Sequence, residues 1–472
     1  MRRRILLMPL LALALAGCGT VGPDYSVPDS AVARQAEVSR PFTGQNEAPY
    51  ERAPLPGKWW KLYDDPVLDG LIEKALARNT DLRVAQASLE HARAAMREVQ
   101  SRQKPSIGVS ASPAFGHVSG LQELQPDVSP PDQWSYSAGG SIAYQVDLFG
   151  QIRRAVEASR GDEQAAQAAY DAVRVTVVAE TARAYADMCS AGMELASAQK
   201  SVAIQRDSLD AVQRLERAGR GAKLDVTRAG SQLELLKAAL PPFKARQRTA
   251  LYRLAALTGV VPAAMPPSLL ECAAPPRLTR VIPVGDGAAL LRRRPDIRQA
   301  ERRLAASTAR IGVAMGDLYP RISLGLSGAS AGPFNLAGEP GTFSWSLGPL
   351  ISWTLPNSGA AQARIAQAKA DVKADLARFD ASVLGALRET ESALVVYARE
   401  LDRQAALAAA RDRGAEAVGQ ARRLFAMGKT DYLAVLDAQR TLAGTESAVA
   451  ASQAQLSDDQ ISLFLALGGG WQ

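Results

Sequence analysis

The sequence predicts a mainly α-helical chain that also carries four β-strands of the membrane-spanning kind, built from one long unit written twice. Three observations lead there. The run Asn79–Leu89 (N-T-D-L-R-V-A-Q-A-S-L) matches Arg294–Leu304 (R-P-D-I-R-Q-A-E-R-R-L) at an offset of 215 positions, which also joins Pro105 to Pro320, Ile107 to Ile322 and Val109 to Leu324. Further on, Arg214–Arg220 matches Arg423–Lys429 at an offset of 209, carrying Leu224 to Leu433 and Val226 to Val435. Such a unit is far longer than the periods of about 20–50 residues that mark solenoids. Second, long tracts of Ala, Gln, Arg and Leu run without proline, and aromatic residues make up only 6% of the 472-residue chain, a composition that favours long helices. Third, four segments between those tracts alternate apolar with small polar residues at period two.

Taken in order, the first 17 residues read as an export signal: Arg2, Arg3 and Arg4 precede an apolar stretch, Ile5 to Leu15, too short for a stable membrane helix. Leu15-Ala16-Gly17-Cys18 resembles a bacterial lipobox, so Cys18 is the expected acceptor of a diacylglycerol and an N-acyl chain; no other cofactor is expected. Gly19, where an aspartate would retain the lipoprotein, directs it to the outer membrane under the usual sorting rule. Residues 18–65, rich in Pro, Gly and Ser to about Pro56, read as an extended tether. The first repeat is placed at 66–259, a linker with six prolines at 260–286, and the second repeat at 287–472.

Within the first repeat, Val67–Gln103 has helical spacing (Leu68, Leu71, Ile72, Ala75), with Asp64 and Asp65 before it and Pro105 after it. From Gln151 to about Ala218 there is no proline, and one helix over that range would reach about 100 Å at 1.5 Å per residue. A further helix begins near Leu224, breaks at Pro241-Pro242 and ends at Leu257. The second repeat predicts helices over Ala288–Leu318, from about Gly359 to Met427, and on to Leu467. Gly219 and Gly428 close the long helices as C-caps, where glycine tolerates positive φ.

The alternating segments centre on Ile107–Ala111, Trp134–Leu148, Ile322–Leu326 and Phe343–Leu355, with aromatic residues toward the ends of two of them. Half-buried strands of a soluble sheet share this alternation; the aromatic placement and the export signal favour strands of an outer-membrane barrel. Four strands cannot close a barrel, which needs about eight, and open edges in lipid cost several kcal/mol per unpaired backbone group. Two copies would give eight strands and three would give twelve, and the residues alone do not choose. Helices of about 100 Å alternating with membrane strands would project from the bilayer as a tube; a coiled-coil rod is the competing reading, against which the heptad pattern is weak.

The net charge of +7 falls to +4 without the three leader arginines, and no dense basic cluster with interleaved aromatics points to nucleic acid. Gly428-Lys429-Thr430 lacks the upstream glycine of a phosphate loop, since Arg423 stands there. Ser197 and Lys200 form an isolated S-x-x-K, and His91 and His117 are too few for a metal site. No constellation suggests an enzyme. Cys189 and Cys272 could pair or remain buried thiols.

Several runs together give the chain a resemblance to a known family: C-G-T-V-G-P-D-Y (Cys18–Tyr25), W-W-K-L-Y-D-D-P-V-L (Trp59–Leu68), D-L-F-G (Asp147–Gly150), the stretch Leu290–Ala314 containing R-R-R-P-D-I-R-Q-A-E, and L-F-L-A-L-G-G-G-W (Leu463–Trp471). In this order they resemble the TolC family of outer-membrane efflux channels, in its NodT-type lipoprotein branch. The resemblance implies a homotrimer with a 12-stranded outer-membrane β-barrel, four strands per chain, continued by a periplasmic α-helical barrel. The implied partners are outer-membrane lipid, a periplasmic adaptor and an inner-membrane pump of the RND type, with the channel a passive exit duct for drugs or other small molecules. A structural lipoprotein spacing the cell envelope is the alternative, but a spacer needs no strands.

By position, the resemblance assigns Asp437 to a ring of carboxylates at the periplasmic gate and Leu433 to an apolar constriction one turn before it. Some relatives carry a second aspartate where Ala434 stands here, so a single acidic ring is expected. The repeat partner of Asp437 is Arg228, and a tie between the two across adjacent hairpins is the expected latch. The resemblance also makes the turns at Gly219 and Gly428 contact points for the adaptor.

Overall fold

Prolines and capping side chains set the element boundaries of the protein, seen in a computed structural model that describes residues 20–48, 50–117, 119, 127, 129–278, 280–354 and 359–470. In chain order the described strands and α-helices are β1 (Tyr50–Glu51), α1 (Pro66–Arg78), α2 (Thr80–Ser101), β2 (Ser106–Gly116), β3 (Gln133–Val146), α3 (Gln151–Arg217), α4 (Lys223–Ala238), α5 (Leu240–Leu257), β4 (Ile282–Pro283), α6 (Gly287–Arg293), α7 (Pro295–Gly316), β5 (Arg321–Pro333), β6 (Phe343–Ser352), α8 (Ala360–Ala426) and α9 (Tyr432–Ala466). Helices α3 and α8 are each 67 residues long. No described helix is long and apolar enough to cross a membrane.

Two expected helices are each split in two. Asn79 turns extended (ψ 136°), and its side-chain oxygen accepts from Asp81 N and Leu82 N, at 2.8 and 3.1 Å, to start α2. Arg294 is extended because it precedes Pro295, whose ring disfavours helical geometry in the residue before it. The break at Pro241-Pro242 falls where the sequence puts it, with both prolines in the first turn of α5, where their missing N–H groups cost least. Asp65 caps α1 by accepting from Val67 N and Leu68 N.

The described residues form two compact units, one within Met1–Pro28, Leu89–Ala166 and Ala300–Phe379, the other within Asp29–Ser88, Gln167–Gln299 and Asp380–Gln472. The first holds an antiparallel sheet of order β2-β3-β5-β6. Its register gathers the apolar residues on one face: Ile107 opposes Ile142, Ile142 opposes Leu326, and Leu326 opposes Leu347. Ser, Gly and Ala fill most of the other face, where Leu350 is the large aliphatic exception and Gln133, Gln145 and Arg321 are the large polar ones. The two hairpins pair alike, since adding 215 to β2 and 209 to β3 turns Ile107–Ile142 into Ile322–Ile351.

Also in the first unit, the segment after residue 19 is latched to the start of α3. Val21 N donates to Phe149 O. The buried Arg154 donates to Val21 O (2.9 Å), Gly22 O (3.0 Å) and the Asp24 carboxylate (2.7 Å). Gly22 has φ +86°, and a Cβ there would lie 2.5 Å from the Cα of Gly312. Only glycine fits at that crossing.

In the second unit, the segment read as an extended tether is folded onto helices, which corrects that expectation. It carries short 3₁₀ turns, buries Ala31, Val38, Phe42 and Leu55, and is held by side chains of α8: Val32 N donates to Asp380, and Thr43 N and Gly44 N to Glu391. Pro and Gly content marks irregular backbone, and irregular backbone packs when its carbonyls and amides find partners. Trp59 is fully buried and stacks on Phe464 at 4.6 Å, and a Cβ on Gly469 would sit 2.7 Å from Trp59. Arg294 donates to Ala466 O at the end of α9 and pairs with Asp296 and Glu389. The runs around Trp59, Arg294 and Phe464 thus meet in one core. The two cysteines left open by the sequence form a disulfide, Cys189–Cys272, that ties the linker to α3.

Candidate gate and tip turns

Both long helices end in the same hydrogen-bonded turn. Gly219 has φ +70°, with Gly219 N donating to Glu216 O and Arg220 N to Leu215 O, both at 2.9 Å. Gly428 has φ +68°, with Gly428 N donating to Phe425 O and Lys429 N to Leu424 O, again at 2.9 Å. This is the Schellman arrangement, which satisfies carbonyls a helix end leaves orphaned. A Cβ at either glycine would meet nothing within 4 Å, so both turns are open on the outside. Arg220, Lys223 and Lys429 stand exposed on them.

Behind the turns, four helices share a small core. Val212 of α3, Ala229 of α4, and Tyr432, Val435 and Leu436 of α9 are buried together, with Ala421 and Phe425 of α8 packed against them. Helix α9 starts at Asp431, whose side chain accepts from Ala434 N at 3.1 Å. Gln205 Nε2 donates to Ala229 O (3.1 Å), and Arg440 Nε to Gln232 Oε1 (2.8 Å), fixing α4 against α3 and α9. With Tyr432, Val435 and Leu436 turned inward, helical periodicity turns Leu433 and Asp437 outward on one stripe. Leu433 is 43% exposed, and Asp437 is exposed one turn beyond it.

The structure does not form the Asp437–Arg228 tie within one chain. Arg228 is half-buried and lies 3.9 Å from Asp225 on its own helix, and among the described residues Asp437 has no ion pair. Both are side chains on outward stripes of helices that share the Gln232–Arg440 contact. The sequence reading also missed Leu224, one turn before Arg228 and 56% exposed. Its offset of 209 from Leu433 was the available signal. Helices α4 and α9 therefore each show an apolar residue followed one turn later by a charge: Leu224 then Arg228, and Leu433 then Asp437. Cys18 lies outside the described residues. Among the described residues no group of His, Cys, Asp and Glu is placed to hold a metal ion.

The same architecture recurs in known proteins. The sequence pattern of the family described as outer membrane efflux protein matches residues 71–260 and 288–469. Nodulation protein T of Rhizobium leguminosarum bv. trifolii is 28% identical over 98% of this chain and 97% of its own length. The solvent efflux pump outer membrane protein SrpC of Pseudomonas putida is 29% identical over 98% of each. Among solved structures, the outer-membrane channel OprN superposes with a TM-score of 0.86 at 37% identity, covering 96% of this chain and all of that one. The open state of the Neisseria gonorrhoeae MtrE outer-membrane channel gives 0.82 at 26% identity, over 96% of this chain and 99% of that one. The chain is an outer-membrane efflux channel and belongs to the outer membrane efflux protein family.

Proposed function

We propose that three copies of this chain form one exit duct. Each would contribute four strands to a 12-stranded outer-membrane barrel and its long helices to a periplasmic tunnel. The observation that carries this reading is the sheet: four strands of 10–14 residues, one face mostly apolar, with β2 and β6 unpaired on their outer edges among the described residues. Strands of about 9–11 residues suffice to cross a bilayer. Val109 at 85% exposure and Trp345 at 71% suit a face turned to lipid. Edges left open there would be prohibitive, so further copies must pair them. A spacer lipoprotein would have no use for this sheet.

The duct would be passive and take drugs or other small molecules from an inner-membrane pump through a periplasmic adaptor, which would dock on the open turns at Gly219 and Gly428. Cys18 would carry the acyl anchor. Leu433 and Asp437, threefold repeated, would form the narrowest ring, with Leu224 and Arg228 of α4 alternating around it. The latch between Arg228 and Asp437 would then join neighbouring chains, since it is absent within one.

Native mass spectrometry of the detergent-extracted mature protein tests the assembly: a lipidated trimer is expected, and a monomer or dimer would sink the 12-stranded barrel. In planar bilayers the wild type should show low, discrete conductance, and Arg228→Ala should raise it. Unchanged conductance in that variant would remove the latch.

A further inference from the structure

Where α7 gives way to β5, the chain builds a polar pocket that the gate does not use. Asp317 follows the last turn of α7, and its carboxylate is mostly covered. Oδ1 accepts from Arg321 (2.8 Å) and from Gln151 Nε2 (3.0 Å), and Oδ2 pairs with Arg364 Nε at 2.9 Å. Two guanidinium groups thus share one carboxylate, leaving one net positive charge. Each guanidinium has five N–H donors in a planar fork. Among the described residues, Asp317 is the one ion-pair partner of both, so each keeps donors free. Both arginine side chains are about half exposed.

These groups open onto a cavity of about 520 Å³, lined also by Tyr319, Ser352 and Thr354. Pockets of roughly 300–1,000 Å³ hold small organic molecules. The floor is rigid on one side, where Tyr319 stacks on Phe149 at 4.5 Å. Arg321 pairs with Ser352 across β5 and β6, which puts both on the small-polar face of the sheet, the face of Ser323 and Ser327. If the apolar face meets lipid, this one faces the lumen. A neighbouring chain joining the edge of β6 would extend the sheet sideways and leave the face uncovered.

We propose that this pocket is an anion subsite in the channel wall that takes small organic monocarboxylates, one per chain. The free guanidinium N–H groups would grip the carboxylate, and the Tyr319, Ser352 and Thr354 hydroxyls would complete its hydrogen bonds. Charge-assisted bonds of this kind hold a carboxylate well only where the site is prearranged, and Asp317 supplies that by fixing both arginines. The proposal rests on the duct reading for its place in the lumen, but the binding itself does not.

The probe is benzoate, with benzamide as its neutral counterpart, applied to the full-length protein. Calorimetry in detergent reads binding without conduction; bilayer recording reads block of current. Benzoate should bind and reduce the current, benzamide should do neither, and Arg364→Gln should weaken benzoate by about tenfold or more. Arg364→Lys, which keeps the charge, should recover part of the loss. Asp317→Asn frees both guanidiniums, so the reversal potential in a KCl gradient should move toward anions, and Arg321→Gln should move it toward cations. Absent benzoate heat, or equal heat for benzamide, overturns the subsite. Benzoate binding in a protein that conducts no ions would leave the subsite standing and overturn the duct.

Discussion

Asp459 of α9 shows how a single buried carboxyl sets a pH dependence. It is 6% exposed; Oδ1 accepts from Gln455 at 2.8 Å, while Oδ2 is buried without a partner among the described residues. Burial pushes this carboxyl up, against the lowering effect of the Gln455 bond, and the Asp458 and Glu400 charges add to the rise. The folded chain therefore holds this proton more tightly than the unfolded chain. Its contribution to stability is complete below the unfolded carboxylate value of about 3.9 and is lost as pH rises through the higher folded value. Asp459→Asn imitates the protonated form. Its thermal midpoint should exceed that of the parent at pH 7, and the gap should close as the pH falls toward 4. An equal gap at both pH values would place the effect in packing instead of charge.

Among the elements, the linker between the two halves is more structured than its prolines suggest. Gln247 donates to Leu270 O at 2.8 Å, and a Cβ on Gly192 would stand 2.1 Å from Cys272 O, so the linker lies flush on α3. The disulfide closes a separation of 83 residues, and a loop of that size constrains the unfolded chain by about 4.5 kcal/mol. Cys189→Ser should lower the denaturant midpoint accordingly, and reductant should bring the parent to the same midpoint. The pairing was not legible, because two cysteines 83 positions apart carry no local signature. The long helices and their glycine caps were legible, since proline-free tracts and a C′ glycine act locally. The splits at Asn79 and Arg294 were not, because each hides in continuous helical spacing and turns on one residue's backbone. The packed tether was missed for the opposite reason: its order comes from distant carboxylates such as Asp380 and Glu391, which sequence proximity cannot reveal. At the candidate gate, the outward stripe of Leu433 and Asp437 follows from helical periodicity, whereas the repeat offset that matches Asp437 to Arg228 does not reveal that Arg228 lies beside Asp225 on its own helix.

At the scale of the whole molecule, the paired offsets that relate the hairpins also specify how one chain should meet the next. Within a chain, the last strand of the first half, β3, pairs with the first strand of the second half, β5, with Ile142 opposite Leu326. Moving Ile142 forward by 209 gives Ile351 of β6; moving Leu326 back by 215 gives Ala111 of β2. If three copies close a ring by repeating this joint, Ile351 of one chain should oppose Ala111 of its neighbour, and Leu347 should oppose Phe115. A one-residue slip would throw every side chain onto the wrong face, so the register is strongly constrained. The alternation of apolar and small residues on both edge strands obeys the same parity. A chain carrying both Ile351→Cys and Ala111→Cys should therefore form covalent trimers under mild oxidation, because directly opposed residues bring Cβ atoms to about 4.5–5.5 Å, within reach of a disulfide after small adjustment. Shifting one cysteine to Ser110, on the opposite face, should abolish the ladder while leaving the native mass of the assembly unchanged. Cross-linking that favours Ser110 over Ala111 would show that the joint between chains does not repeat the joint within them.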